Sequence, residues 1–125
     1  MPDRVHLVGN HPDVVPWLQA LDVFVLPSYA NEGVPQALMQ AMACGLPCIT
    51  TNAGAISELA TDDLTARVVP VQNVAALQHS LCDLLADEPL RLRLGLAARE
   101  HVVATHGRVL MLDRMEALFR KAVEA

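Results

Sequence analysis

The sequence VFVLPSYANEGVPQALMQAMACGLPCITT, residues 23–51, decides the fold. It begins with a short β-branched and apolar run, Val23–Leu26, which is typical of a buried parallel strand. A polar turn follows over 28–33, and a helix is predicted from about 35 to 44. A second apolar run, Cys48–Thr50, predicts the next strand. The order strand, loop, helix, strand predicts a parallel sheet with a ligand site in the loop after the first strand.

The predicted helix begins where an anion can bind. Its first backbone N–H groups have no partner within the helix, and the helix dipole favours negative charge at that end. Gly33 carries no Cβ, so the backbone there can approach a ligand closely. Glu32 would repel a bare phosphate, but its carboxylate can accept hydrogen bonds from the hydroxyl groups of a sugar attached to that phosphate. The turn therefore predicts a site for a sugar phosphate.

A second interpretation of the same residues stays open. Gln36 and Gln40 are four residues apart and form one polar stripe on an otherwise apolar helix. Acidic residues are common near helix starts, so Glu32 could be an ordinary acid at a helix start while the two glutamines face water. The local residues do not decide between these interpretations.

The longer segment DVFVLPSYANEGVPQALMQAMACGLPCITTNAGAISEL resembles the donor-binding motif of the family 4 retaining glycosyltransferases, which have the GT-B fold. A weaker resemblance extends from Val5 to the C-terminus. The family pattern has two glutamates separated by seven residues. Glu32 matches the first, and Gln40 stands in place of the second. The resemblance implies that Glu32 contacts the donor sugar or its phosphate as a catalytic residue. It also implies that Gln40 lies near the ribose hydroxyls, from which its side-chain carbonyl can still accept a hydrogen bond.

The resemblance implies further donor-binding residues in the same two loops and at the helix start. They are Ser28, Asn31, Gly33, Val34, Pro35, Gln36 and Gly54. Pro35 stands where the family more often has glycine, and it removes one N–H that could bind the diphosphate. The implied donor is a nucleoside diphosphate sugar whose sugar is transferred with retention of configuration. Neither a further cofactor nor a metal ion is expected.

A whole enzyme of this family has an acceptor-binding domain followed by a donor-binding domain, whose first strands carry cationic segments for the diphosphate. None of these parts is visible in the sequence, so residues 1–125 are expected to be a partial C-terminal donor-binding domain. The expected fold is α/β, a truncated Rossmann-like parallel sheet of about four strands flanked by helices. Val5–Val8 would be the first strand, without the two strands that normally separate it from the others. We expect it to slide next to the Val23–Leu26 strand, pair with another chain or fray, because unpaired backbone groups are costly when buried.

The remaining segments alternate turns with short elements. Asp13 is predicted to cap a helix through Leu21, with one apolar face in the core. That face comprises Val14, Trp17, Leu18 and Leu21. A short helix is predicted over 55–60, a last strand over 66–69, and three helices after Asn73, near Pro89 and after Gly107. We expect the last helix to expose an apolar face and to promote association.

Composition and charge exclude several classes of function. The chain has 125 residues, of which 53% are hydrophobic and 18% charged, which argues for a packed core. The formal net charge of −5 argues against nucleic acid or an anionic membrane surface as a partner. No apolar run approaches the roughly 18 residues of a membrane span, and no signal peptide is evident. The sequence therefore predicts a cytoplasmic protein that is not transmembrane.

Cysteine and histidine spacing gives no other catalytic or metal site. Cys44, Cys48 and Cys82 are an odd number, which suggests reduced and mostly buried thiols. The Cys-x3-Cys pair lacks a second ligand pair for a metal ion. The histidines are scattered, and none pairs by spacing with a serine or cysteine nucleophile. His11 could lie near the phosphates, although a single histidine in a loop is usually solvated.

Two other functions are compatible with the sequence. The chain could be a non-catalytic truncated module that binds a nucleotide or a protein partner, and the activity of the isolated chain stays open. An epimerase or phosphorylase of similar fold is less favoured, because no cofactor-binding lysine or pair of reactive acids is visible. The sugar, the base and the acceptor are not determined by these residues.

Overall fold

A computed structural model describes residues 2–124, which form a parallel sheet with helices on both faces. The helices and strands are α1 (Val15–Gln19), β1 (Phe24–Leu26), α2 (Gln36–Ala43), β2 (Cys48–Thr51), β3 (Arg67–Val69), α3 (Val74–Ala86), α4 (Glu88–His106) and α5 (Arg108–Glu124). Two short 3-10 helices lie at Pro2–Arg4 and Gly54–Glu58. The predicted strands and helices after residue 22 are therefore confirmed, with ends that shift by one to a few residues.

The sheet has the order β1-β2-β3, and all its pairs are parallel. Phe24 lies opposite Cys48, and Ile49 lies opposite Arg67. Every residue of β2 is buried, as expected for a central parallel strand covered on both faces. Because the strands run the same way, the loops that follow β1, β2 and β3 all lie at one edge of the sheet.

The two faces of the sheet have separate apolar clusters. Side chains of a strand alternate between faces, so Cys48 packs with α2 residues while Ile49 packs with α3 and α4. On the first face Leu38 and Met42 are fully buried, and on the second Leu84 is. This α/β arrangement is the Rossmann-like fold that the sequence predicts.

The predicted strand at Val5–Val8 is wrong, so the sheet within residues 2–124 has three strands where about four were expected. Residues 5–8 form no regular structure, and the side chain of Leu7 is 97% exposed. The segment does not lie next to the Val23–Leu26 strand, so that predicted outcome is wrong, while pairing with another chain stays a prediction. Its backbone lacks ladder hydrogen bonds, and the Val8 carbonyl oxygen lies 2.7 Å from His11 Nε2 instead.

The predicted core face of α1 is wrong for three of its four residues. Leu18 is buried, whereas Val14, Trp17 and Leu21 are 37%, 45% and 44% exposed. Periodicity shows which residues share a face of a helix but not what lies opposite that face. Here the face lies against the irregular segment before α1, which leaves a cavity. The predicted cap at Asp13 is wrong, because Val14 is the N-cap residue and α1 ends at Gln19, although Asp13 accepts a hydrogen bond from the Val15 amide at 3.0 Å.

The arginines of α4 are engaged with the rest of the fold and do not form a free basic patch. Arg91 donates to the carbonyl oxygen of Leu84 at 2.6 Å, and Arg99 donates to that of Ala43. Arg93 pairs with the Asp63 carboxylate at 2.8 Å. This pairing lowers the pKa of Asp63 below its ordinary value, first through the hydrogen bond from Arg93 and then through its charge.

The last helix, α5, has no buried residue, so the prediction that it exposes an apolar face is confirmed. Within residues 2–124, no helix combines the length and the apolar character that crossing a bilayer requires. All three cysteines are free thiols, but Cys82 is exposed, so the expectation of mostly buried thiols fails there. Its position on α3 faces away from both apolar clusters.

Candidate functional site

The candidate site lies at the edge of the sheet where the loops after β1 and β2 meet. The first loop, 27–35, contains Glu32 and leads into α2. The second, 52–58, includes the 3-10 helix Gly54–Glu58. The two loops are in contact, since the Ala55 amide donates to the Glu32 carbonyl oxygen at 3.0 Å. The structure thus brings together the residues that the sequence singles out on both loops.

The Glu32 carboxylate is half-buried and is held by a hydroxyl group. Ser28 Oγ donates to Glu32 Oε1 at 2.5 Å, and an ionised acceptor makes such a bond stronger than a neutral one. Among the described residues, the Glu32 side chain has no ion pair with an arginine or lysine. Its second oxygen, Oε2, makes no further hydrogen bond within residues 2–124. The carboxylate can therefore accept a hydroxyl group from a ligand.

The helix that follows this loop begins without a cap. Pro35 is the N-cap residue in an extended conformation, and within residues 2–124 no side chain caps the helix. The first amide to bond within the helix is that of Met39, to the Pro35 carbonyl oxygen at 3.1 Å. The amides of Gln36, Ala37 and Leu38 belong to the turn whose N–H groups have no intrahelical partner. Glu32 lies outside this first turn, so it is not a helix-start acid, whereas Gln36 and Gln40 are both exposed, as the same interpretation expected.

The predicted donor-binding residues around Glu32 occupy two kinds of position. Asn31, Gly33, Gln36 and Gly54 are exposed, while Ser28, Val34 and Pro35 are half-buried. Val34 packs against the apolar cluster of α2, which fixes the end of the loop to the core. Asn31 has a φ of 53°, a left-handed conformation that asparagine adopts more readily than most residues.

The two glycines of the site differ in what the fold requires of them. A Cβ built on Gly33 would meet no described atom within 4 Å, so the loop does not need glycine there for its own packing. Gly54 has a φ of +52°, and a Cβ there would lie 2.0 Å from the Glu32 carbonyl oxygen. At Gly54 the second loop can therefore approach the first only because glycine has no side chain.

Thr51 is a site residue that sequence reasoning missed. Its hydroxyl donates to the Ser28 carbonyl oxygen at 2.5 Å and also accepts from the Ala53 amide at 3.4 Å. The side chain is almost fully buried. A threonine at the end of a strand is an ordinary β-former, so no local signal marked it.

A cavity of about 580 Å³ lies beside α2, on the same helix as the uncapped first turn. Gln40 lines it together with Phe24, Trp17 and residues of the segment before α1. His11 also lines it, where its Nε2 lies 2.7 Å from the Val8 carbonyl oxygen and its ring is 4.6 Å from that of Trp17. Gln40 is one helical turn, about 6 Å, beyond Gln36, so the cavity lies along α2 from its uncapped end, and the residues that line it do not include the loop that holds Glu32.

Cysteine and metal chemistry add little to this site. Burial raises the pKa of Cys48 to about 12, so its thiol stays protonated and unreactive at neutral pH. Within residues 2–124, no three histidine, cysteine or acidic side chains are grouped closely enough to hold a metal ion.

Comparison with known proteins gives a family match over most of the chain. The sequence profile of the family described as "Glycosyl transferases group 1" matches residues 1–87. The chain is 33% identical over 91 residues to the lipopolysaccharide core biosynthesis mannosyltransferase LpsB of Rhizobium meliloti. That match covers 71% of this chain and 26% of the mannosyltransferase.

Solved structures agree with the fold. A sucrose-phosphate synthase from Thermosynechococcus elongatus superposes with a TM-score of 0.91 and 30% identity, covering 98% of this chain and 31% of that one. HepE of Anabaena, in complex with UDP, superposes with a TM-score of 0.92 at 18% identity, covering 96% of this chain and 33% of that one. The chain thus spans about a quarter to a third of the length of these relatives.

Proposed function

Because the chain belongs to the glycosyl transferases group 1 family, we propose that it binds the donor of a sugar-transfer reaction, a nucleoside diphosphate sugar. The observation that carries this proposal is the placement of Glu32 beside the uncapped first turn of α2. Free amides suit a diphosphate, and a carboxylate with an available oxygen suits sugar hydroxyls. Together, the free amides and the carboxylate favour a sugar that carries a phosphate over a phosphate alone or a sugar alone.

We place the diphosphate at the first turn of α2 and the sugar next to Glu32. The remaining donor-binding residues, Ser28, Asn31, Gly33, Val34, Pro35 and Gly54, would form the walls of this part of the site. Pro35 contributes no N–H, so the amides of Gln36 and its two successors are the donors available at this helix end.

We place the nucleoside in the neighbouring cavity. Its volume of about 580 Å³ lies within the range that small-molecule sites typically have. Gln40 at its wall is suited to accept a ribose hydroxyl through its side-chain carbonyl. The Anabaena neighbour that holds UDP supports a nucleotide in this fold, and at 18% identity it supports no more than that.

Transfer with retention is the reaction that we propose for the whole protein. In the transition state negative charge develops on the leaving diphosphate, and preorganised N–H donors stabilise it. Glu32 has no second carboxylate at position 40, so the two-acid mechanism of glycosidases is not favoured. The relatives are about three times as long as this chain, and turnover is proposed only for a protein that has their remaining parts. A cytoplasmic location and the absence of a further cofactor stay predictions from the sequence.

Calorimetric titration of the chain with UDP-glucose and GDP-mannose tests donor binding. We expect one of them to bind, and Glu32→Ala to weaken that binding. In a full-length or complemented enzyme, Glu32→Ala should reduce transfer on the order of a hundredfold. Ser57→Ala, at an exposed position of the second loop, is the matched control and should bind as the wild type does. Transfer at the wild-type rate by Glu32→Ala would contradict the proposed role of Glu32.

A non-catalytic interaction module is the second candidate, and the exposed apolar face of α5 favours it. Under that function the chain would associate strongly and would bind nucleotides only at about millimolar concentrations. The same titration separates the two candidates, because binding of a donor well below millimolar concentration supports the first and not the second.

A further inference from the structure

We propose that Thr51 and Gly54, on the strand and loop after β2, are positioning residues that set the place of Glu32. This inference rests on the proposed function, because the position of the Glu32 carboxylate matters only if a donor binds beside it. Thr51 need not touch the donor, and Gly54, which also forms a wall of the proposed donor site, acts here through the close approach of its backbone to Glu32. They act by fixing the loop after β1 relative to the rest of the sheet.

The coupling between the loops has three separate contacts. The Thr51 hydroxyl donates to the Ser28 carbonyl oxygen at 2.5 Å, and the Ala55 amide donates to the Glu32 carbonyl oxygen at 3.0 Å. The third is the close approach at Gly54, where a Cβ would lie 2.0 Å from the same oxygen of Glu32. Thr51 at the end of β2 thus holds the start of the Glu32 loop, and the second loop holds the backbone of Glu32.

The side chain of Glu32 is included in this arrangement through Ser28. The backbone of Ser28 is fixed by Thr51, and the hydroxyl of Ser28 donates to Glu32 Oε1 at 2.5 Å. A chain of two hydrogen bonds therefore runs from the buried end of β2 to the carboxylate. Misplacement of a reacting group by about 1 Å can cost a large factor in rate, so a fixed carboxylate matters for transfer.

The neighbouring residue Thr50 provides a matched control. Its hydroxyl donates to the Leu26 carbonyl oxygen at 3.1 Å, and its side chain is also fully buried. Thr50→Val and Thr51→Val each remove one bond from a buried β2 hydroxyl to a backbone carbonyl oxygen, that of Leu26 in β1 or that of Ser28 in the loop. Only the Thr51 bond reaches the loop that contains Glu32.

Hydrogen exchange at the Ala55 amide measures the coupling without any ligand. We expect Thr51→Val to speed this exchange about tenfold more than Thr50→Val does, because about one hydrogen bond's worth of local stability is lost at the loops. Thr51→Ser, which keeps the hydroxyl, should restore the wild-type rate. Gly54→Ala is a second variant at an exposed position, and it should speed exchange by pushing the two loops apart. Equal exchange in Thr50→Val and Thr51→Val would overturn the inference.

Titration with UDP-glucose and GDP-mannose measures the consequence for the donor. We expect Thr51→Val and Gly54→Ala to raise the Kd of whichever binds the wild type by about tenfold relative to Thr50→Val, while Thr51→Ser binds normally. Faster exchange with unchanged affinity in both variants would overturn the positioning role. If neither compound binds the wild type, the proposed function fails, and the exchange rates alone then support or overturn the fixing of the Glu32 loop.

Discussion

Glu32 and Gln40, the two polar residues proposed to accept hydroxyl groups of the donor, differ in charge and in burial. Glu32 is charged, half-buried and held by the Ser28 hydroxyl. Gln40 is neutral and exposed at the wall of the neighbouring cavity. A neutral amide accepts a hydroxyl group without charge assistance, so its bond is the weaker of the two. On this basis we expect the loss of the Glu32 side chain to weaken donor binding more than the loss of the Gln40 side chain does.

Cys48 gives a prediction about pH at the scale of one residue. Its thiol is buried in the apolar cluster beneath α2, and this burial raises its pKa from 9.0 to about 12. A raised pKa in the folded state means that the stabilisation is fully present below pH 9 and is lost as the pH rises toward 12. The loss is up to about 4 kcal/mol, since each pKa unit corresponds to about 1.4 kcal/mol.

We therefore expect Cys48→Ala to flatten the alkaline dependence of the unfolding free energy, measured by denaturation at a series of pH values. Below pH 9 the two proteins should show parallel dependence. Cys82→Ala, which removes an exposed thiol, is the control and should follow the wild type throughout. An equally steep alkaline loss in Cys48→Ala would show that ionisation of this thiol is not the cause.

The packing of α2 on α4 gives a prediction at the scale of elements. Gly95 lies inside α4, where a Cβ would be 2.1 Å from the Gly45 carbonyl oxygen just beyond the end of α2. Replacing glycine by alanine inside a helix ordinarily stabilises it by up to about 1 kcal/mol. Here the contact with a backbone atom reverses the sign, because the helices must separate.

We expect Gly95→Ala to lower the unfolding free energy by about 2 kcal/mol, measured by urea denaturation. Ala104→Gly, at an exposed position of the same helix, isolates the propensity term and should cost about 1 kcal/mol. A stabilised Gly95→Ala variant would mean that α4 can shift without cost.

Elements could be predicted from the sequence wherever local chemistry decides them. The cap at Asn73, whose side chain accepts from the Ala76 amide at 2.9 Å, and the apolar run of β2 are examples. Val5–Val8 reads as a strand by the same rules, yet a strand exists only where a neighbour supplies its hydrogen bonds. Trp17 likewise has core periodicity, but whether it is covered depends on distant residues.

The candidate site divides in the same way. Glu32 and the helix after it could be found because a turn, a glycine and an acid lie together in the sequence. Thr51 could not, because its contact with the Ser28 carbonyl oxygen joins residues 23 positions apart. The resemblance implies Gly54 as a donor-binding residue, but its close approach to Glu32 follows only from the fold.

At the scale of the whole molecule, α5 is the long helix that the other described residues leave uncovered. Along α5 the side chains of Val109, Leu112 and Phe119 are 70%, 51% and 64% exposed. These positions share one side of the helix and form an exposed apolar surface, which also carries Glu116 in its ion pair with Arg120. Such a surface on a chain of this size favours contact with another apolar surface over contact with water.

We therefore expect the isolated chain to self-associate through α5, giving a mass above 13.5 kDa in sedimentation at high protein concentration. The double variant Leu112→Lys with Phe119→Lys should sediment as a monomer, because two ammonium groups on that face oppose its burial. Asp113→Lys on the same helix is the control, since it shifts the formal net charge of −5 by the same two units while leaving the apolar residues in place. If the control also became monomeric, the charge carried by α5 and not its apolar face would govern association. A wild-type chain that stays monomeric at every concentration would show that the exposed face of α5 is not sufficient for self-association.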